Sequence, residues 1–197
     1  MTLLTRRKIV QSCPALLGAA TSLTVARIAH AAPRMTPVCV EDGPLTRAQI
    51  EGPYFKPASP QRMSLLEDGI EGERLIVEGT VYNGYCKPIL GALIDFWQAD
   101  GNGEYDNQNF KLRGHQYVDG EGRYHLETVV PGYYPGRTRH IHVKIQAPGQ
   151  PILTTQLYFE GDSGNRRDSL HNPALDMKMT ERRGRKLALF DFVLNVY

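Results

Sequence analysis

The sequence predicts an all-β fold, an antiparallel β-sandwich behind an irregular N-terminal arm. Three observations predict it. From residue 75 onward, short runs rich in β-branched and aromatic residues recur at strand length. The breaks between them are turn residues, and the chain holds 19 Gly and 13 Pro. No sustained helical periodicity competes with these runs. A length of 197 residues suits one core rather than two.

Residues 1–31 read as an export signal. Thr5-Arg6-Arg7-Lys8 is a twin-arginine start, an apolar stretch follows, and Ala29-His30-Ala31 offers a cleavage site. The twin-arginine route carries folded proteins, so a periplasmic domain that folds before export is expected. Cleavage would remove four basic residues and no acid, so 23 basic and 21 acidic residues become 19 and 21, net −2. That balance excludes a basic nucleic-acid surface. Cleavage would also remove Cys13, leaving Cys39 and Cys86, which an oxidising compartment permits to pair or to stay as separate thiols. No later stretch is long and apolar enough to span a bilayer as a helix.

Residues 32–74 form the arm, Pro-rich and without periodicity. Leu45 to Ile50 is expected to make a helical turn. Glu51 to Pro57 (EGPYFKP) must be extended, because each proline disfavours helix in the residue before it. The sandwich is expected over residues 75–197. Its strands are Leu75–Tyr82, Ala92–Gln98, Arg123–Val129 after the turn Asp119-Gly120-Glu121-Gly122, Arg139–Gln146, Thr154–Phe159 and Leu187–Val196.

The chemistry concentrates in residues 132–145, GYYPGRTRHIHVKI. Side chains alternate across a strand, so His140 and His142 share one face and Arg139, Ile141 and Val143 the other. Two neutral imidazoles side by side make a bidentate grip for Fe, Zn, Cu or Ni. The carboxylate of a two-His-one-carboxylate iron site is missing from the strand after His142, and Gln146 stands where a cupin would carry Glu. Tyrosines lie nearby instead: Tyr133 and Tyr134 just upstream, and Tyr105 after Trp97. Phenolate is a hard, strongly donating anion that favours Fe(III), and a metal's charge can deprotonate a phenol.

Four stretches carry a family resemblance: EGPYFKP (51–57), GTVYNGYCKPILGALIDFWQADGNGEYDN (79–107), DGEGRYHLETVVPGYYPGRTRHIHVKI (119–145) and TTQLYFEGD (154–162). The sequence resembles the intradiol ring-cleavage dioxygenases, nearest the protocatechuate 3,4-dioxygenase branch. The resemblance implies a non-haem Fe(III) held by Tyr105, Tyr134, His140 and His142, with Tyr117 the fallback for Tyr105. Tyr134 rather than Tyr133 is the ligand because the family's tyrosine directly precedes a proline, here Pro135. It implies cleavage of a catechol by O2 between its hydroxylated carbons, giving a cis,cis-muconate-type dicarboxylate. Arg137 would steady charge developing on the ring, Gln156 would stand beside the metal, and the leaving Tyr134 would accept a catechol proton. Gly52, Pro53, Tyr54 and Tyr133 would line the substrate site. The implied partners are a catechol, O2, and a second copy or related chain.

The remaining candidates read as structural. Trp97, Phe96, Tyr124 and Phe159 are expected in the core, and Arg139 on the structural side of its strand. His115 and His125 read as surface or supporting residues, and His171 as a bystander. The rival reading is a non-catalytic transthyretin-like binding module. Such a module has no use for Tyr105, Tyr134, His140 and His142 together.

Overall fold

The computed structural model describes Cys39 and residues 43–197. The expected export signal and most of residues 32–42 lie outside the described residues. Among the described residues the strands are β1 (Arg74–Asn83), β2 (Leu93–Trp97), β3 (Arg113–Tyr117), β4 (Arg123–Val129), β5 (His140–Gln146), β6 (Leu153–Phe159), β7 (Asp176–Arg182), β8 (Arg185–Leu189) and β9 (Phe192–Leu194). Two single 3-10 turns, Asn165–Arg167 and Pro173–Leu175, lie between β6 and β7.

Strand order is β3-β2-β5-β6-β7-β8-β1-β4, with β9 beside β1. Most ladders are antiparallel, as expected; β1–β8, β1–β9 and β6–β7 are parallel. Strand β7 joins the two halves, pairing with β6 on one side and β8 on the other. The halves face each other across an apolar core. Phe96 of β2 meets Tyr124 of β4 with ring centroids 5.9 Å apart, and Ile94, Leu126, Ile141, Val143 and Leu157 are fully buried.

The expected last strand divides into β8 and β9. Between them Phe190 passes against β1 so closely that a Cβ on Gly79 would lie 1.7 Å from its carbonyl oxygen. Asp191 then accepts the Thr80 N–H at 2.7 Å. Strand β7 is not expected from the sequence and β3 only through Tyr117, which reads as a strand residue, since RGHQY and DMKMTER carry little β-branched or aromatic signal. Each is made by its neighbours: β3 pairs with β2 from Leu93↔Tyr117 to Trp97↔Arg113, and β7 pairs with β8.

Leu45 to Ile50 is not a helical turn. Its backbone is taken by strands instead, Thr46 N–H donating to Val193 O and Gln49 N–H to Thr154 O, both at 2.9 Å. Cys39 and Cys86 form a disulfide, Cα–Cα 5.5 Å, that ties the arm to the turn after β1. Lys144 pairs with Glu51 and sits 3.8 Å from the Phe55 ring centre. These contacts lay the arm over the outer face of β5, where His140 and His142 project.

Candidate metal centre

Strand alternation builds the base of the site. On β5, Ile141, Val143 and Ile145 enter the core, so His140, His142 and Lys144 face outward beneath the arm. The two histidines are 4% and 3% exposed, values typical of a core. Their Nε2 atoms lie 3.1 Å apart. Two bonds of about 2.1 Å to one ion, set near a right angle, separate nitrogens by about 3 Å. The spacing fits two ligands of one metal.

The histidines are held differently. His140 Nδ1–H donates to Thr138 O at 2.7 Å, which leaves the Nε2 lone pair free. His142 Nδ1 has no such partner among the described residues. Its ring is fixed by stacking on Trp97, centroids 4.8 Å apart and planes 6° apart, and by Gly52 on another side. A Cβ on Gly52 would lie 3.3 Å from His142 Cε1, so this glycine lets the arm reach the ring. Burial lowers His140 to about 4, and burial with the neighbouring His140 pushes His142 well below its ordinary value. Both are therefore neutral at pH 7, the form that binds metal.

The tyrosines complete the cluster from two loops and the arm. Tyr105 O–H lies 3.4 Å from His140 Nε2. Tyr54 stacks on Tyr105 at 4.5 Å, and its hydroxyl lies 2.7 Å from that of Tyr134. Burial raises the Tyr105 pKa, so its phenolate needs a cation close by. The bond to Tyr134 raises Tyr54, which keeps Tyr54 protonated and able to donate to a Tyr134 phenolate. Among the described residues no group of three or more His, Cys, Asp or Glu side chains converges. With Tyr54 kept protonated, the donors left for a metal are two imidazoles and the phenols of Tyr105 and Tyr134, a set that fits ferric iron.

Two glycines bring the tyrosine loops together. Gly132 N–H donates to Asp100 O at 2.7 Å. A Cβ on Gly103 would lie 2.2 Å from Tyr133 O, and one on Gly132 would lie 2.4 Å from Gly103 N. Only bare backbones fit at that crossing. Buried Arg113 closes the far side, donating to Tyr54 O and, from Nε and Nη2, to Asp106 O.

Arg137 is anchored twice. Its Nε donates to Asp168 Oδ2 at 2.9 Å and its Nη2 to Gln156 Oε1 at 2.6 Å. Gln156 in turn donates to Ile50 O, and Tyr158 O–H donates to Leu170 O at 2.9 Å beside the same cluster. Burial alone would raise Asp168, but the N–H groups of Leu170 and Thr138 and the Arg137 guanidinium outweigh it and hold the carboxyl low.

The family model described as Dioxygenase matches residues 50–194. The chain belongs to the intradiol dioxygenase family. It is 31% identical over 152 residues to a hydroxyquinol 1,2-dioxygenase of Nocardioides simplex, covering 65% of this chain and 52% of that protein. The chain thus spans about half the length of that relative. Among solved structures it is similar to the dioxygenase domain of a dioxygenase–carbohydrate-binding fusion from Streptomyces sp. SirexAA-E, with TM-score 0.76, 52% identity, and coverage of 78% of this chain and 100% of that one. It is also similar to an intradiol ring-cleavage dioxygenase of Tetranychus urticae, with TM-score 0.70, 26% identity, and coverage of 78% and 95%.

Sequence reasoning singled out Tyr54, Tyr105, Tyr134, Arg137, His140, His142 and Gln156, and the fold brings them together with Gly52. Pro53 is exposed on the arm beside them. Tyr133 turns elsewhere: its hydroxyl donates to Asp162 at 2.9 Å and its ring lies under Arg139. Arg139 pairs with Asp162 and is structural, as expected. Tyr117 is on β3, exposed, and no part of the cluster. Trp97 is not merely core, because β2 pairs Trp97 with His142. His171 stands outside the cluster, as expected: it bonds Asp176 at 2.8 Å and packs edge-on against Tyr158. Asp168 and Arg113 carried no local signal, since their partners lie 31 and 59 residues away.

Proposed function

We propose that the protein is a non-haem Fe(III) intradiol dioxygenase that cleaves a catechol with O2 between its two hydroxylated carbons, giving a cis,cis-muconate-type dicarboxylate. The observation that carries the reading is the meeting of Tyr105, His140 and His142 with the Tyr54–Tyr134 pair in a donor set without carboxylate. Ferric iron held by Tyr105, Tyr134, His140 and His142 would supply Lewis acidity and activation of a catechol ring toward O2.

The protein's own groups do the rest. His140 and His142, held neutral by burial, offer nitrogen lone pairs with no proton to lose. Tyr134, as a phenolate, would be a base close enough to the substrate to take up a catechol proton. Tyr54 receives and steadies the Tyr134 hydroxyl at 2.7 Å. Arg137, fixed by Asp168 and Gln156, presents an unmoving positive charge toward developing negative charge on the ring. Export to an oxidising compartment is part of the proposal, and the Cys39–Cys86 disulfide supports it.

The test is the visible spectrum of the iron-loaded protein, before and after catechol under anaerobic conditions. Tyrosinate-to-iron charge transfer should colour the protein, shift when catechol binds, and change in Tyr134→Phe. A protein that stays colourless after ferric reconstitution overturns the iron–tyrosinate centre and leaves the binding-module reading.

A further inference from the structure

Beside the cluster a cavity of about 410 Å³ opens, and Tyr133, Tyr134, Gly136, Arg137, Arg167 and Asp168 are among the residues that line it. Pockets that enclose whole small ligands run from roughly 300 to 1,000 Å³. One dihydroxybenzene ring does not fill it, so lining residues other than Tyr134 are left to meet a substituent on that ring.

The charges on these walls are not equivalent. Arg137 is neutralised by Asp168 at 2.9 Å, and Asp168 also accepts the Thr138 and Leu170 N–H groups, both at 2.9 Å. Arg139, just outside, is paired with Asp162. Among the described residues Arg167 makes no ion pair, and its guanidinium makes no hydrogen bond; only its backbone N–H is engaged, with Gly164 O at 2.9 Å. The cavity therefore keeps one uncompensated positive charge.

The backbone beneath Arg167 is built rather than loose. Gly164 N–H donates to Asp162 Oδ1 at 2.7 Å, Asn165 Nδ2 to Phe159 O at 2.9 Å, and Thr138 Oγ1 to Asn165 Oδ1 at 2.8 Å. Asp168, next in the chain, is locked to Arg137. Arg167 thus rises from a fixed base and shares the lining of this cavity with Tyr134, one of the proposed ligands.

We infer that Arg167 is a specificity-determining residue that selects catechols bearing a carboxylate, on the ring or on a short side chain, with the diol end toward Tyr134 and the carboxylate toward the Arg167 guanidinium. The inference rests on the proposed function for the placement of the diol. Guanidinium is suited to the role because its planar fork can grip a carboxylate with two parallel hydrogen bonds.

The test is anaerobic titration calorimetry of the iron-loaded protein with catechol, 3,4-dihydroxybenzoate and 3,4-dihydroxycinnamate. It compares wild type, Arg167→Gln and Arg167→Lys. A partly solvated charge pair predicts a preference for the acids of about five- to tenfold over catechol. That preference should shrink with added salt. It should collapse toward unity in Arg167→Gln and recover in part in Arg167→Lys. A preference unchanged by Arg167→Gln, or no preference in the wild type, overturns the inference. Ring cleavage is followed separately in air. An Arg167-dependent preference without cleavage would keep the subsite and defeat the proposed activity.

Discussion

Gly103→Ala should dismantle the site by pushing on the backbone of Tyr133 and Tyr134. The new Cβ would lie 2.2 Å from Tyr133 O and 2.9 Å from Tyr133 C. A comfortable carbon–oxygen contact needs about 3.3 Å, so the two loops must part by about 1 Å. Neither can yield cheaply, since Gly103 N–H is bonded to Asp100 O at 3.0 Å and Gly132 N–H to the same oxygen at 2.7 Å. Overpacking of this kind costs about 1–3 kcal/mol. Gly103 also has φ +86°, where an L-residue pays about 1 kcal/mol more. The sum is about 3 kcal/mol, or about 6–12 °C in Tm for a domain of this size. Sites of this kind tolerate about 0.5 Å of displacement. Moving the Tyr105 loop against the Tyr134 loop by about 1 Å should therefore lower ferric iron occupancy tenfold or more at limiting iron. The assay is thermal unfolding by circular dichroism together with iron stoichiometry by metal analysis. Gly120→Ala is the control, because nothing lies within 4 Å of its added Cβ and its φ is not left-handed. It should move Tm by less than about 2 °C. A Gly103→Ala protein with wild-type Tm and full iron would refute the claim that this backbone crossing sets the tyrosine positions.

Asp168→Asn keeps an acceptor for the Thr138 N–H but removes the charge that holds Arg137. It should cost about 3 kcal/mol of stability and lower kcat more than KM is raised in a catechol cleavage assay, and unchanged kcat would refute the anchoring role. Burial raises Asp191 to about 6, partly offset by the Thr80 N–H. Between about pH 4 and pH 6 the folded chain then holds a proton that the unfolded chain has lost, so this residue's contribution to stability falls as pH rises through that window. Asp191→Asn should accordingly be more stable than wild type above pH 6 and lose that advantage near pH 4, read as Tm against pH. Cys86→Ser opens a loop with a sequence separation of 47. It should destabilise by up to about 4 kcal/mol, and chemical denaturation with and without reductant should give the same loss in wild type but none in the variant.

The sequence was most informative where chemistry and local pattern coincide. Alternation along residues 140–146 placed both histidines on one face, and the strands flanking them had bounds right to within a residue. The four proposed ligands, Arg137, Gln156 and Tyr54 were all legible because they sit in runs that resemble known relatives. The extended course expected for residues 51–57 does not hold throughout: Gly52 takes φ +71° and the backbone turns at Pro53 and Tyr54.

What only the tertiary structure decided are relations between distant segments. Strands β3 and β7 have weak intrinsic signal, and pairing with neighbours makes them strands. The last strand breaks at Phe190 because Gly79, far away in sequence, lets the backbones meet. Trp97 supports His142 through cross-strand register, and Asp168 fixes Arg137 across 31 residues. A one-dimensional pattern records which face a side chain takes, because that depends on its immediate neighbours. It does not record what stands opposite that face, because ladder register and loop crossings are set by the packing of the whole chain.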